Sequence, residues 1–384
     1  LIYSKNDSSK EYELQSRKKN YGFINFNNRE IYKNVSIKDL TELFFIIKNI
    51  FYIFLKKGYL LQPFLLSEYP RVIYFFLQWN KFVKSFYFDL SISYNDYGIS
   101  DLIRNGIFLK NNISCWAYVH SFSQSYIYSK SPFLIDPSKA FVPFSKRYYL
   151  LKDQLKHYNL SRIKCNDNVL IGPLFRNFKS TLNFRKNYRD KFIISIFTSS
   201  TSNNAFNSIS AHKKFFNHLF KLMGELDDKY IFLIKIKNKK FRYKEFDYIF
   251  KSDLYKKLKK NKRILIIDPN QPSSKIINSS NFVISMAFTS PTFEALSVNI
   301  PAIFFDPQKV ASNNYFKKIE NLYITDWKYL KSFIEIYRYK KMKDNWILKT
   351  KNKIGLKINN SGILKIQKDI SNFLNKKNNS INNF

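Results

Sequence analysis

The stretch from Asn281 to Pro307, NFVISMAFTSPTFEALSVNIPAIFFDP, constrains the fold more than any other part of the chain. It predicts an apolar strand over Phe282–Ser285, a short helix over Thr292–Val298 and a second apolar strand over Pro301–Phe305. Two apolar strands joined by a helix form a βαβ unit, whose strands run parallel in a buried sheet. Ligands of such sheets bind at the carboxyl ends of the strands, beside the start of the helix.

The loop that leads into this helix is rich in hydroxyl groups. Ser285 ends the strand, Thr289, Ser290 and Thr292 surround the predicted helix start, and Glu294 lies just inside the helix. Free backbone N–H groups together with hydroxyls suit a phosphate. The carboxylate of Glu294 stands among apolar residues, where it needs a hydrogen-bond partner. A ribose diol is one such partner; the alternative is that its charge merely favours the helix N-terminus.

A second hydroxyl-rich loop follows the apolar strand predicted over Lys191–Phe197. It begins with Thr198, Ser199 and Ser200. In one parallel sheet this loop and the loop before Thr292 lie at the same edge, where together they could bind a diphosphate without a metal ion. The chain has eight glycines and neither a GxGxxG motif nor a P-loop, so hydroxyl groups take the place of a glycine-rich phosphate loop.

Strand and helix patterns alternate along most of the chain, which predicts an α/β fold with two Rossmann-like domains facing a cleft, as in GT-B glycosyltransferases. Among the predicted elements of the first half are helices over 38–57, 70–83, 100–110 and 147–157 and strands over 85–94, 113–119 and 169–171. We expect an N-terminal domain with a helical N-terminal part over 1–174, a linker over 175–190 and a second domain over 191–345. A basic C-terminal part is expected over 346–384, with a helix over Ile363–Phe373 and a disordered tail after it.

The chain is strongly basic, with 65 Lys and Arg against 28 Asp and Glu and a net charge of +37. One interpretation is a polyanionic partner or an anionic membrane. The other is compositional bias, because Lys, Asn, Ile, Phe and Tyr dominate, all with A/T-rich codons. The 39 Phe and 27 Tyr form no basic patch and favour bias for most of the excess. The sequence contains no zinc finger, RNP-type motif or basic helix repeat, so no motif indicates a nucleic-acid partner.

The cysteines and the apolar stretches suggest where the chain works. Two cysteines are too few for a disulfide framework or a cysteine metal site, which fits the cytoplasm. The membrane-like stretch Leu43–Leu66 is interrupted by lysines, and its apolar part is too short to span a bilayer. It predicts a core helix or, as the alternative, an interfacial helix peripheral at the inner membrane. The chain begins with Leu1, so a preceding signal or anchor is left open.

The run from Ser285 to Pro291 resembles the signature of the polysaccharide biosynthesis PFTS-motif proteins, a bacterial surface-carbohydrate family. Their Pro-Phe-Thr-Ser stands here as Ala287-Phe288-Thr289-Ser290. The part from Glu294 to Ile303 is similar to GT-B donor sites more widely, in which the Glu contacts the nucleotide ribose. The resemblance implies a glycosyltransferase for capsule, lipopolysaccharide or a similar surface glycan. Its donor is a nucleotide-sugar, and no cofactor is implied.

On this interpretation the second domain binds the donor and the first binds a glycan or lipid-linked acceptor. Transfer with inversion needs a base for the acceptor hydroxyl, and the candidates at predicted strand ends are Asp96 and His120. Asp96 could equally be a turn residue, and His120 a hydrogen-bonded strand-end residue. Lys235 and Lys237 are candidates for holding the leaving phosphate, or are solvated surface lysines. Two other functions stay open, a catalytically inactive scaffold of a glycan assembly complex and a polyol-phosphate transferase.

Overall fold

The computed structural model describes the chain in segments. The residues described are 2–4, 23–25, 37, 40–42, 44–45, 48, 63–93, 98–119, 142–152, 154, 165–174, 184–199, 208–237, 251, 253–260, 262–310, 315–339, 343–356 and 361–381. By contacts the chain divides into two compact units, residues 1–116 with 142–144, and residues 117–141 with 145–384. The domain boundaries predicted from the sequence stay a prediction.

The first unit is built around two packed helices. Its elements are strands β1 (Ile2–Ser4) and β2 (Phe23–Asn25), which pair in parallel, helix α1 (Pro63–Ser85), strand β3 (Leu90–Ser93) and helix α2 (Ile99–Lys110). The two helices pack through aromatic rings: Trp79 and Phe82 of α1 lie 5.6 and 6.2 Å from Phe108 of α2, measured between ring centroids. The strand predicted over 85–94 is wrong for its first residues, because α1 continues to Ser85. Large apolar rings at helical spacing favour the longer helix.

The helix predicted over 147–157 is wrong at its start, where the chain forms a strand. Strands β4 (Ser114–Val119), β5 (Lys146–Tyr149) and β6 (Asp167–Leu170) follow β3 in a four-stranded sheet of order β3-β4-β5-β6, with β5 and β6 parallel. Tyr148 and Tyr149 are completely buried. Tyrosine packs well on a pleated surface, and sheet pairing with β6 overrides the helical pattern of the residues that follow.

The second sheet has six parallel strands and contains the stretch Asn281–Pro307. Its elements are α3 (Phe184–Asn187), β7 (Phe192–Phe197), α4 (Ile209–Glu225), β8 (Tyr230–Lys235), α5 (Asp253–Lys260), β9 (Ile264–Ile267), α6 (Ser273–Asn278), β10 (Phe282–Met286), α7 (Ser290–Ser297), β11 (Ala302–Phe305), a 3₁₀ helix (Tyr315–Lys318), β12 (Tyr323–Ile324) and α8 (Trp327–Tyr339). The strand order is β12-β11-β10-β7-β8-β9. The order reverses between β7 and β10, which makes this pair the topological switch point of a Rossmann-like sheet.

The apolar strands explain why helices cover both faces of this sheet. Every residue of β7, β8, β10 and β11 is buried. One face packs against α4 and α8 through residues such as Phe216 and Ile334, and the other packs against α6 and α7 through Ile277 and Leu296. Strands buried on both faces read as continuous hydrophobic runs, as FIISIF and YIFLIK do here. The predicted α/β fold class is confirmed.

Two helices follow at the C-terminal end, α9 (Lys343–Ile354) and α10 (Ser361–Ile381). The disordered tail expected after Phe373 is wrong as far as Ile381, where α10 ends. Asp369 on α10 is almost fully buried and receives a hydrogen bond of 3.0 Å from the Tyr148 hydroxyl. The ammonium groups of Lys146 and Lys365 lie 2.9 and 2.6 Å from its carboxylate oxygens. These contacts fix α10 against β5.

The helix predicted over 38–57 is only partly within the described residues. Residues 37, 40–42, 44, 45 and 48 are helical. The large apolar residues among them are exposed, with Phe44 at 70% and Phe45 at 65%. The interpretation of this segment as a core helix is therefore wrong for the described residues. In the part of the chain that the structure describes, no helix combines the length and apolar character needed to cross a membrane.

We expect the substitution Asp369→Asn to destabilise the protein by about 2 kcal/mol at pH 7, because it removes a buried carboxylate that pairs with the exposed Lys365 and shares Lys146 with Asp167. Burial alone would raise the pKa of this carboxyl, but the hydrogen bonds from Lys365, Lys146 and Tyr148 outweigh burial and lower it. Its contribution is therefore present above the unfolded pKa of about 4 and is lost as the pH falls through the lowered folded value. Urea unfolding of both proteins between pH 7 and pH 3 should show the difference shrinking towards acid.

The matched control is Asp228→Asn, whose side chain is 84% exposed and lies 3.9 Å from Lys191. We expect this change to alter the free energy of unfolding by less than about 1 kcal/mol. Equal effects of the two substitutions would show that the buried contacts of Asp369 do not hold α10.

Candidate functional site

The two hydroxyl-rich loops meet at the switch point of the second sheet. Phe197 of β7 stands opposite Ser285 of β10 in the parallel register. Beyond the strand ends, the Ser199 hydroxyl contacts the Met286 sulfur at 3.6 Å. From the other side, the Thr289 hydroxyl donates a hydrogen bond of 3.1 Å to the Met286 carbonyl. The common edge predicted for these loops from the sequence is therefore present.

The start of α7 lacks a side-chain cap. Thr289 occupies the N-cap position with extended backbone, yet its side chain accepts no hydrogen bond from the helix. Helix α4 on the same sheet differs, because its N-cap Ser208 accepts from the Ala211 N–H at 3.1 Å. The first N–H groups of an α-helix have no partner within the helix and carry a partial positive charge. The start of α7 is thus suited to an anion.

Glu294 and Lys235 bring opposite charges to this edge. The Ser290 hydroxyl donates to Glu294 Oε1 at 3.0 Å, and Lys235 Nζ, at the end of β8, donates to the Pro269 carbonyl at 3.0 Å. Burial raises the pKa of Glu294, opposed by the Ser290 hydrogen bond and by the charge of Lys235. Burial lowers the pKa of Lys235, opposed by the charge of Glu294. Both groups therefore gain from a polar ligand that replaces lost solvation. The alternative of a solvated surface lysine is wrong for Lys235, which is buried.

Phe288, in the middle of the AFTS motif, fixes the shape of the loop before α7. Its backbone has a φ of 66°, which is strained for a bulky residue. Its ring lies 5.4 Å from Phe304, 5.8 Å from Phe316 and 6.2 Å from Tyr323, measured between centroids, and the ring planes of the last pair are nearly parallel. The aromatic contacts offset the backbone strain and hold the loop in one conformation.

His212 supports the other loop. Its ring is fully buried, with Nδ1 3.0 Å from the Ser208 carbonyl and Nε2 3.4 Å from the Ser199 hydroxyl. Burial lowers the pKa of His212, which favours the neutral ring. Because Nε2 also lies 3.2 Å from the Ser199 carbonyl, the neutral ring can donate to the Ser208 or to the Ser199 carbonyl, and either bond ties His212 to the residues around the loop. The sequence analysis missed this role, although the helical spacing of Ala211, Phe215 and Leu219 places His212 beside the buried face of α4.

Several of the predicted donor-binding hydroxyls are engaged with the protein itself. The Thr198 hydroxyl accepts from the Lys237 N–H at 3.3 Å, and the fully buried Thr292 donates to the Ile303 carbonyl at 3.4 Å. Ser285 is fully buried within β10, and its hydroxyl has no hydrogen-bond partner. The hydroxyl protons of Thr289 and Thr292 are used by backbone carbonyls, which leaves them unavailable to a phosphate. The backbone N–H groups in the first turn of α7 are donors at this edge, except at Pro291, which has none.

Three of the predicted site residues, Ser200, Asp96 and His120, lie outside the described residues, so their roles stay predictions. Tyr118, two residues before His120, is the penultimate residue of β4. Its hydroxyl accepts from the Leu174 N–H at 3.2 Å and donates to the Gly172 carbonyl at 3.4 Å. Burial raises the pKa of Tyr118, and the charge of Glu294 adds to the rise. This residue, which the sequence analysis did not single out, thus lies within electrostatic range of Glu294.

The sequence of the chain matches the model of a known protein family. The family model described as "Polysaccharide biosynthesis PFTS motif protein" matches residues 45–334, which is more than half of the chain. The protein belongs to the PFTS-motif family. None of the curated proteins compared with the chain matches it in sequence.

Solved structures resemble this PFTS-motif protein at low sequence identity. The MnaA protein of S. aureus, solved with UDP, is 14% identical, covers 79% of each chain and has a TM-score of 0.54. The UDP-GlcNAc 2-epimerase of Methanocaldococcus jannaschii is 12% identical over 94% of this chain and 89% of its own, also with a TM-score of 0.54. Alr3699/HepE of Anabaena, solved with UDP and glucose, is 10% identical over 95% and 89%, with a TM-score of 0.50. These likenesses support the GT-B-type fold, which the chain adopts.

For this PFTS-motif protein we expect Glu294→Gln to raise the melting temperature at pH 8 by about 2 °C. A carboxyl whose pKa is raised on folding contributes stability in full below its unfolded pKa of about 4.3 and loses it as the pH rises through the folded pKa. The substituted side chain carries no charge at any pH. The variant should therefore have the same melting temperature as the wild type near pH 4 and a higher melting temperature at pH 8. Thermal melts of both proteins across this range are the measurement.

Glu320→Gln serves as the control, because Glu320 is exposed. Its melting temperature should follow that of the wild type at both pH values. A Glu294→Gln protein that melts below the wild type at pH 8 would show that the attraction to Lys235 outweighs burial.

Proposed function

We propose that the protein is a glycosyltransferase that moves a sugar from a nucleotide-sugar donor to a growing bacterial surface polysaccharide. The observation that carries the proposal is the uncapped start of α7, with Glu294 and Lys235 beside it at the switch point of the second sheet. Membership of a polysaccharide biosynthesis family supports the pathway class. S. aureus MnaA and Anabaena Alr3699/HepE, which are similar in fold and were solved with UDP, support a nucleotide as ligand.

Each group at this edge has a distinct part in the proposed donor site. The N–H groups at the start of α7 bind the diphosphate and stabilise the charge that develops on the leaving group. Lys235 adds a positive charge at the end of the neighbouring strand β8. Glu294, oriented by Ser290, accepts hydrogen bonds from the ribose hydroxyls. These groups bind the donor through hydrogen bonds and charge, so the proposed binding mode uses no metal ion.

We place the acceptor site in the first half of the chain. A glycan or a lipid-linked sugar presents a hydroxyl that loses its proton as the new bond to the sugar forms, and the nucleoside diphosphate departs. Asp96 and His120 are the proposed bases. His120 follows Tyr118, whose hydroxyl is within electrostatic range of Glu294. Asp96 and His120 stay equal candidates, because both lie outside the described residues.

We expect that one of the nucleotides UDP, GDP, CMP and CDP, each tested at millimolar concentration, raises the melting temperature of the protein more than the others do. The nucleotide that does so identifies the donor class. Replacing Glu294 by Ala should weaken its binding about tenfold, the effect of losing a hydrogen bond to a charged group. Calorimetric titration of both proteins measures this change, with Glu320→Ala as a control that should bind as the wild type does.

The outcomes separate the competing functions. No thermal shift with any of the nucleotides would reject donor transfer and leave the inactive scaffold. A shift with CDP, together with transfer of a polyol phosphate, would favour the polyol-phosphate transferase. Conversion of a UDP-sugar into an isomer without release of UDP would contradict glycosyl transfer while retaining the nucleotide site.

Once a donor is known, the base can be identified from two substitutions, Asp96→Asn and His120→Ala. Loss of the base should lower turnover about 100-fold or more without changing nucleotide affinity, because the base contacts only the acceptor. Steady-state rates and nucleotide titrations of both variants make the distinction. If both variants keep wild-type turnover, neither residue is the base.

A further inference from the structure

The helical segment near residue 40 exposes large apolar side chains. Exposure of the side chains is 83% for Ile37, 53% for Leu40, 70% for Phe44 and 65% for Phe45. Single exposed apolar residues are normal on a protein surface, but a group of four on one short segment marks an interaction surface.

Three of the exposed apolar residues lie in one row along the segment, and Phe45 lies beside that row. The spacings of three and four from Ile37 to Leu40 and from Leu40 to Phe44 place these side chains in one row along a helix. Four residues further on, Lys48 continues the row, and it too is exposed. The face formed by Ile37, Leu40, Phe44 and Phe45, here called the apolar face, thus ends in a positive charge.

The sequence that follows has the same character. Residues 43–55 read LFFIIKNIFYIFL, and Lys56 and Lys57 come directly after them. Aromatic and aliphatic side chains bordered by lysines are typical of segments that lie in the interface of a membrane, with the lysines at the headgroups.

We propose that the apolar face docks onto an anionic membrane surface. Ile37, Leu40, Phe44 and Phe45 enter the boundary between headgroups and acyl chains, and Lys48 pairs with anionic headgroups. The net charge of +37 favours this occupant over a second copy of the chain. Two copies of a strongly basic protein repel each other, whereas anionic lipids attract juxtamembrane lysines.

The test is co-sedimentation with vesicles, using purified protein and two lipid compositions, phosphatidylcholine alone and phosphatidylcholine with phosphatidylglycerol. The wild type should bind the vesicles that contain phosphatidylglycerol, and binding should weaken as salt is raised. The double substitution Phe44→Gln/Phe45→Gln should reduce this binding about tenfold or more, because it removes the apolar contact. Both side chains are exposed, so the variant should fold as the wild type does.

The matched control is Ile336→Gln/Tyr339→Gln on α8, which removes two apolar side chains that are 47% and 66% exposed. It should bind vesicles as the wild type does. The proposal is overturned if the wild type does not bind anionic vesicles, if Phe44→Gln/Phe45→Gln binds unchanged, or if the control loses as much. It is equally overturned if light scattering shows a dimer that the Phe44 and Phe45 substitutions convert to monomer, because a second copy would then cover the face.

Discussion

The burial of parallel strands on both faces is the constraint on which the second sheet depends. Strands β7, β8, β10 and β11 contain hardly any residue that can face water, so helices have to cover them on both sides. When right-handed crossovers place helices on both sides, the direction in which successive strands are added to the sheet has to reverse once. That reversal falls between β7 and β10, and it opens the two loops beyond these strands at one point. The candidate site is thus a consequence of how an apolar sheet is buried.

The same burial gives the site its electrostatic character. An edge closed in by packed helices solvates Glu294 and Lys235 poorly, which raises the pKa of the carboxyl and lowers that of the ammonium. The start of α7, without a side-chain cap, adds a partial positive charge. Strain at Phe288 belongs to the same pattern, because its aromatic neighbours hold a loop conformation that a free chain would leave. The poorly solvated charges and the strained loop thus lie at the edge where we propose that the donor binds.

The C-terminal helices show a different use of buried charge. Asp369 joins α10 to β5 through two lysines and a tyrosine, so helix attachment depends on ionised groups as well as on apolar packing. The cluster favours one arrangement, because the buried carboxylate of Asp369 would be left without its hydrogen-bond partners in any other. The apolar face near residue 40 stands apart from these packed regions, and its exposure leaves it available to a partner outside the chain.

Apolar runs and their spacing determined much of this protein from the sequence alone. They predict the βαβ unit of Asn281–Pro307, the strands of the second sheet and the common edge of the two loops, because short apolar runs bounded by turn residues favour strands that are buried on both faces. The AFTS motif also indicates the family. Prediction from the local pattern was wrong where long-range strand pairing decides the structure, as at Lys146–Tyr149. It was also wrong where ion pairs hold a basic helix in place, as at Asp369.

Only the tertiary structure decided which polar groups at the edge remain available to a ligand. In the sequence Thr198, Thr289 and Thr292 look like phosphate ligands, whereas in the fold their hydroxyls bind backbone groups. Conversely, Lys235 looks like one surface lysine among many until β8 and the loop at Pro269 bury it near Glu294. Hydrogen-bond partners and solvation are properties of neighbours distant in the chain, so composition and spacing do not contain them.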